Sequence, residues 1–254
     1  ARAYCGIADC CCYLYANAGK ASQDLKQADE ASRKALELAP DLAEAHASRA
    51  VSLSLASHPE EAEKAFDTAI RLDPLLFEAR YFYARHCFAQ GKLEKAARLY
   101  AQASRVRPED YQAPLLMGQV FSDLGRIQEA EEARRRGVKI AEEHLKTQPD
   151  DIRALYMGAN GLVALGDIET GLLWTGRALS LESTDPMVLY NLACIYALAG
   201  ELDLSIDCLE PSVERGFSYR EWLERDSNLD PIRTHPRFAN VITALNAQAR
   251  KPLS

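Results

Sequence analysis

Apolar and small residues recur at helical spacing along almost the whole chain, and the helical runs come in pairs. Phe77–Gln90 is helix-periodic and ends at Gly91, while Leu93–Val106 carries Ala96, Leu99, Tyr100 and Ala103 on one face and stops before Pro108. A glycine supplies the left-handed turn that ends a helix, and a proline cannot continue one. The pattern therefore predicts helix, tight turn, helix, break. It repeats: Pro40, Pro74 and Pro108 lie 34 residues apart, Pro149 follows after 41, and Ser183 stands 34 beyond that. Ala50, Ala84, Gly118, Ala159 and Ala193 keep the same beat, as do Gly91, Gly125, Gly166 and Gly200; Ala28, Ala62, Ala96 and Ala130 form a further series.

One such helix pair cannot bury its apolar stripe alone, so the pairs must stack. Ala130 keeps register with Ala96 while Pro149 arrives seven residues late, which places an insertion inside the second helix of the fourth pair. Seven residues are close to two helical turns, so Ile127–Lys146 lengthens without rotating its apolar face. Its Glu131–Arg135 and Glu132–Arg136 spacings suit a solvated, projecting helix. In the first pair, Asn17–Asp24 reads as an enlarged loop, with Ile7–Ala8 as the core of the first helix.

These residues carry a specific resemblance. A 34-residue helix–turn–helix with a small residue in its first helix, glycine at the turn, alanine followed by an aromatic, and a closing proline resembles the tetratricopeptide repeat. Ala62, Phe66, Ala69 and Pro74 match it in the second repeat, and Ala84, Gly91, Ala96, Tyr100, Ala103 and Pro108 in the third. The fourth has Gly118, Phe121, Gly125 and Ala130; in the fifth and sixth Gly171 and Ser205 replace an alanine, while Ala193, Tyr196 and Gly200 hold. The aromatic usual early in the first helix is replaced by His46, Arg80, Pro114, Leu155 and Leu189. The resemblance implies an all-α, right-handed α-solenoid over residues 1–254: an irregular first repeat at 1–41, five repeats at 42–216, and C-terminal capping helices at 217–254. Within the cap, a short helix is expected over Tyr219–Arg225, a turn over Asp226–Pro231 and a helix over Pro236–Ala247. Trp222, Leu229, Ile232, Phe238 and Val241 would cover the open end. The tail resembles the ends of bacterial repeat proteins attached to signalling modules, which implies that the chain is a piece of a longer protein with its missing part upstream.

Charge and chemistry narrow the function classes. Thirty Lys and Arg against 37 Asp and Glu give a net charge of −7, a poor footprint for nucleic acid. No apolar run is long enough to span a bilayer. Seven cysteines, an odd number, fit free thiols and a cytoplasmic setting. Cys10, Cys11 and Cys12 lie on one helix about 100° apart and cannot converge on one metal ion; packing is the expected role, with redox sensing the alternative. The five histidines form no ligand pair, and no phosphate loop, nucleophile elbow or isolated acid–base pair is present. The expectation is a chain without enzymatic activity, cofactor or metal. No residue demands a particular oligomeric state.

What remains is recognition. The resemblance implies that the first helix of each repeat lines a concave groove. The side facing away from its own packing carries Tyr81, Arg85 and Phe88 in the third repeat, and Gln119, Ser122 and Asp123 in the fourth. Arg153, Tyr156 and Asn160 follow in the fifth, and Tyr190 and Asn191 in the sixth. Tyrosine, asparagine and arginine suit the capture of a protein or peptide ligand. Tyr156 with Tyr190, and Arg85 with Gln119, are expected to stack as ladders. Asp9 and Val51 stand where a carboxylate clamp would have an amide, so a clamp of that kind is not expected. The leading expectation is a non-catalytic interaction scaffold; the alternative is a regulatory region of a larger bacterial signalling protein that controls an upstream domain.

Overall fold

The computed structural model describes residues 1–17, 22–182, 184–217, 223–224 and 226–248. Among them every regular element is helical. The helices are α1 (Arg2–Asn17), α2 (Ser22–Leu38), α3 (Ala43–Leu55), α4 (Pro59–Leu72), α5 (Phe77–Ala89), α6 (Leu93–Val106) and α7 (Gln112–Asp123). There follow α8 (Ile127–Thr147), α9 (Ile152–Ala164), α10 (Ile168–Leu181), α11 (Pro186–Leu198) and α12 (Leu202–Glu214). A 3-10 turn over Ser227–Ile232 and α13 (Phe238–Gln248) complete the set. Odd-numbered helices up to α11 are the first members of six pairs, and even-numbered helices the second. The chain packs as two compact units, Ala1–Ala133 and Arg134–Ser254.

The glycine turns form as the sequence predicts. Gly91 sits at φ +70°, and the next residue, Lys92, donates its N–H back to the carbonyl of Cys87 at 2.8 Å. That six-to-one bond closes the helix end, and the left-handed geometry costs glycine nothing. The same bond runs from His58 to Leu53, Arg126 to Phe121, Asp167 to Leu162 and Glu201 to Tyr196. At the first of these turns the left-handed residue is not glycine but Ser57, at φ +62°.

The small-residue series becomes the seam between helices. Ala28, Ala50, Ala62, Ala84, Ala96 and Ala130 are fully buried in the N-terminal unit, and Ala159 and Ala193 in the C-terminal unit. The N-terminal core adds aromatic rings: Phe66 lies stacked on Tyr83 with centroids 4.9 Å apart, and Tyr100 lies edge-on to Tyr81. The C-terminal core is mainly aliphatic, with Leu155, Leu192, Ile206 and Leu209 fully enclosed, and buries Tyr190 against Phe217 beside them.

Both length irregularities are absorbed mainly by helix. α8 runs 21 residues, ending one residue beyond the expected Lys146, and buries Val138, Ala141 and Leu145 along its added length. One side of it is packed rather than projecting free. In the first pair, α1 reaches Asn17 and α2 has begun by Ser22, so Asn17 and Ser22–Asp24 of the expected loop over Asn17–Asp24 are helical, and 18–21 lie outside the described residues. Ala8 is fully buried as expected, but Ile7 is 48% exposed, because among the described residues no helix packs on the side of α1 that carries it.

The cap closes the C-terminal end. Leu229, Ile232, Phe238 and Val241 are all buried, as is Leu223. The final helix begins at Phe238, two residues later than expected. The short helix expected over Tyr219–Arg225, with Trp222, and the repeat position Ser183 fall outside the described residues, apart from Leu223 and Glu224.

Candidate binding faces of the first helices

The eleven residues expected to line a groove divide by what their side chains meet. In the N-terminal unit, Tyr81 is 5% exposed. Its ring stacks on Phe77 at 5.4 Å, and its hydroxyl donates to Gln112 Oε1 on α7 at 3.1 Å. It is a stacking residue between successive first helices, not an exposed contact. Arg85, one turn on, is exposed, and among the described residues it has no salt-bridge or hydrogen-bond partner. Phe88, a further turn on, leaves 36% of its surface in solvent. On α7, Gln119 is half-buried and donates to Asp123 Oδ1 at 3.1 Å.

The C-terminal unit shows the same division. Tyr190 is 3% exposed; its ring stacks on Phe217 at 4.4 Å and its hydroxyl donates to Asp226 Oδ2 at 2.6 Å. Burial, with the nearby Cys194 and Asp226, pushes the Tyr190 hydroxyl far above its usual range, so it stays a donor. Cys194 faces the same carboxylate at 3.7 Å. Asn191 turns back on its own helix, donating to the carbonyl of Met187 at 2.7 Å. Arg153, Tyr156 and Asn160 on α9 are half-buried. Tyr81 and Tyr190 occupy one register of the repeat, and in both the hydroxyl reaches the segment that follows in the stack. Sequence periodicity identified their helix face but not that this face is covered by the next element.

Several polar groups the sequence did not single out hold the first helices in place. Glu63 on α4 accepts from Lys92, from Lys95 Nζ at 2.6 Å and from the Tyr83 hydroxyl at 3.0 Å. Burial pushes this carboxyl up, but the three hydrogen bonds outweigh it and hold it at about 2. Arg49 is nearly buried and donates to Asp29 Oδ1 at 2.5 Å and to Ser32. These partners lie 17 to 32 residues apart in sequence, so no local pattern announces them. Past the other end of α6, the Arg107 guanidinium lies over the Phe77 ring at 4.0 Å and donates to Glu78 at 2.7 Å.

The cysteines are all free thiols, and every one except Cys10 is buried. Burial pushes the Cys12 thiol up to about 12, with Asp9 adding to the shift, and pushes Cys87 and Cys208 to about 11. A thiol held protonated is a poor nucleophile and a poor metal ligand. Among the described residues no three His, Cys, Asp or Glu side chains gather as a metal site requires, and no helix is long and apolar enough to cross a membrane.

Comparison with known proteins agrees with this architecture. Two tetratricopeptide-repeat family models match, one at residues 11–42 and the other at 49–103 and 88–143, together half of the chain. No curated protein matches in sequence. Among solved structures, the Cut9–Hcn1 hetero-tetramer of the APC/C superposes with a TM-score of 0.58 at 17% identity, over 84% of this chain and 45% of that one. Yeast Tom70 gives 0.55 at 17% identity, over 94% and 46%. The Pseudomonas aeruginosa protein PilF gives 0.52 at 17% identity, over 82% and 90%. Likeness at this level of identity is a likeness of fold.

Proposed function

The chain belongs to the tetratricopeptide-repeat family, and we propose that it works by binding rather than turnover, as a scaffold that takes a peptide or partner protein on the exposed side of its first helices. The reading rests on Arg85 and Phe88. An unpaired guanidinium and a partly exposed aromatic ring, three residues apart on one rigid helix, are the residue types that dominate binding energy at protein interfaces. Neither contributes to the core around it, whereas the neighbouring Tyr81 does. Half-buried Gln119 lies one repeat further on, and its amide suits an extended peptide backbone. In the C-terminal unit, Arg153, Tyr156 and Asn160 offer a second face of similar character on α9. Binding on such faces needs little rearrangement, because each helix is fixed from below by the alanine seam and its glycine turn.

The test is an affinity capture from the source cell with the parent chain and an Arg85→Glu/Phe88→Ala variant. Arg85→Glu is at the surface and should change stability by no more than about 0.5 kcal/mol, while Phe88→Ala removes a partly buried ring and should cost about 1–2 kcal/mol. A protein retained by the parent and lost by the variant, with helicity preserved, supports the reading. Equal retention by both removes this face from the account.

A further inference from the structure

Asp9, Val51 and Arg85 each directly follow a fully buried alanine of the seam, Ala8, Ala50 and Ala84. They therefore share one side of α1, α3 and α5, three first helices of the N-terminal unit. Asp9 and Arg85 are exposed, and Val51 between them is half-buried. Two turns back on the same side, Glu44 and Glu78 already have cationic partners, Arg2 at 3.4 Å and Arg107 at 2.7 Å. Asp9 and Arg85 form no ion pair among the described residues. Burial pushes the Asp9 carboxyl above its ordinary range; the Ser48 hydroxyl, which donates to it, opposes this, and Glu78 adds to the rise. The protein around Asp9 thus strips water from an anion without supplying a cation, while its open side still reaches solvent. A positive group arriving from outside relieves that cost.

We propose, resting on the peptide-binding reading of this face, that its ligand is an extended segment of mixed charge, with a lysine or arginine seated on Asp9 and an aspartate or glutamate on Arg85. α1 packs on α3, and α3 on α5. Packed helices lie about 8–10 Å apart, so the two steps span about 16–20 Å. An extended chain rises about 3.3 Å per residue, which sets the two charges about five or six residues apart. Val51 lies beneath the residues between them, and Phe88, one turn beyond Arg85, gives an apolar side chain a place beside the acidic one. A wholly acidic segment is repelled by Asp9 and a wholly basic one by Arg85. The face therefore selects by the order and spacing of opposite charges rather than by net charge.

The probes are fluorescent twelve-residue peptides of alanine and threonine. Each carries one lysine, one glutamate with a leucine beside it, a lysine–glutamate separation of two to nine residues, and either order of the two charges. Binding to this chain is read by fluorescence anisotropy. The expected affinity peaks at a separation of about five or six residues, in one order only. Asp9→Asn and Arg85→Gln, which keep side-chain size, each weaken that peptide about fivefold or more. The exchange Asp9→Arg/Arg85→Asp transfers the preference to the opposite order. An affinity indifferent to order and spacing overturns the proposal, as does one that Asp9→Asn leaves unchanged; in both cases a loss of binding in Phe88→Ala keeps the face itself in place. Binding that survives Phe88→Ala and both charge variants removes the face as well. If no peptide binds, the mixed-charge segment is overturned while the capture experiment still decides the face.

Discussion

The two compact units solve the same stacking problem with different materials. The N-terminal unit fills its core with rings, Phe66 on Tyr83 and Tyr81 against Tyr100, and ties successive pairs with charge, through Glu63 with its two lysines and Asp29 with Arg49. The C-terminal unit, whose stacked rings are Tyr190 and Phe217, relies more on helices approaching closely at glycines. A Cβ on Gly158 would sit 2.4 Å from the Trp174 ring, and one on Gly171 would sit 2.5 Å from Val163 Cγ2. Near its C-terminal end, Arg237 forks onto Glu210 and reaches Asp207 at 2.8 Å. The comparison teaches that one 34-residue pattern fixes helix order and seam, while the filling between helices is free to differ.

The largest expected effect is in the ring-filled unit. Phe66→Ala leaves a cavity beneath Tyr83 and should cost about 3–5 kcal/mol. Both tryptophans, Trp174 and Trp222, belong to the C-terminal unit. Urea unfolding followed by far-ultraviolet circular dichroism should therefore shift more than unfolding followed by tryptophan fluorescence. Equal shifts would show that the units unfold as one.

The charged ties should make the N-terminal unit the acid-labile one. The Glu63 carboxyl is held at about 2, against an ordinary 4.5. Its stabilisation is therefore present above pH 4.5 and lost as pH falls from there through 2. Burial also holds His86 below its ordinary 6.5, so acid below that value further disfavours the folded state, which must bury a charge. Hydrogen exchange at pH 3 to 4 should rise first in α4–α6, and Glu63→Gln should cost about 1.5–3 kcal/mol at neutral pH. Exchange that begins instead in α9–α12 would reverse this assignment.

Glycine should discriminate within the C-terminal unit. Gly158→Ala forces Trp174 out of its place and should cost about 1–3 kcal/mol, read by tryptophan emission and melting temperature. Gly176, on the same unit's α10, has open space around it, and Gly176→Ala should stabilise by about 0.5–1 kcal/mol. A similar outcome at both positions would remove close approach as the explanation. The smallest effect returns to the N-terminal unit: Ser57→Gly relieves the one left-handed residue that is not glycine among the described residues. A gain of about 0.5–1 kcal/mol is expected in thermal unfolding.

Much of the fold was legible because period and punctuation are local. Gly91 and Pro108 mark ends that depend only on neighbouring residues, and the seven-residue delay before Pro149 gave α8 its length to within one residue. Gly171 and Ser205 looked like weakened repeat positions; the first sits where a Cβ has no room, and the buried hydroxyl of the second donates to the Ala193 carbonyl at 2.7 Å. The binding faces were half legible. Periodicity places Tyr81 and Arg85 on the same side of α5, but whether a side chain there reaches solvent depends on where α7 crosses. The same holds for Tyr190, whose cover arrives 36 residues later as Asp226. Ile7 was misplaced for the opposite reason, since its equivalents are covered by the second helix of the preceding pair and no described helix covers Ile7.

The two insertions also constrain how such a chain can change over generations. Seven extra residues fit inside α8 because they restore the helix face, whereas the first pair departs differently. Ala8 precedes Ala50 by 42 residues, eight more than the regular 34. They lie between Ala8 and Ala28, where α1 runs on to Asn17 and α2 has begun by Ser22. Heritable length variation in this protein is therefore quantised. An indel of whole double turns can settle within one helix, whereas a count of eight is accommodated by lengthening the facing ends of both helices of a pair, so length change in this protein leaves the buried alanine seam in register.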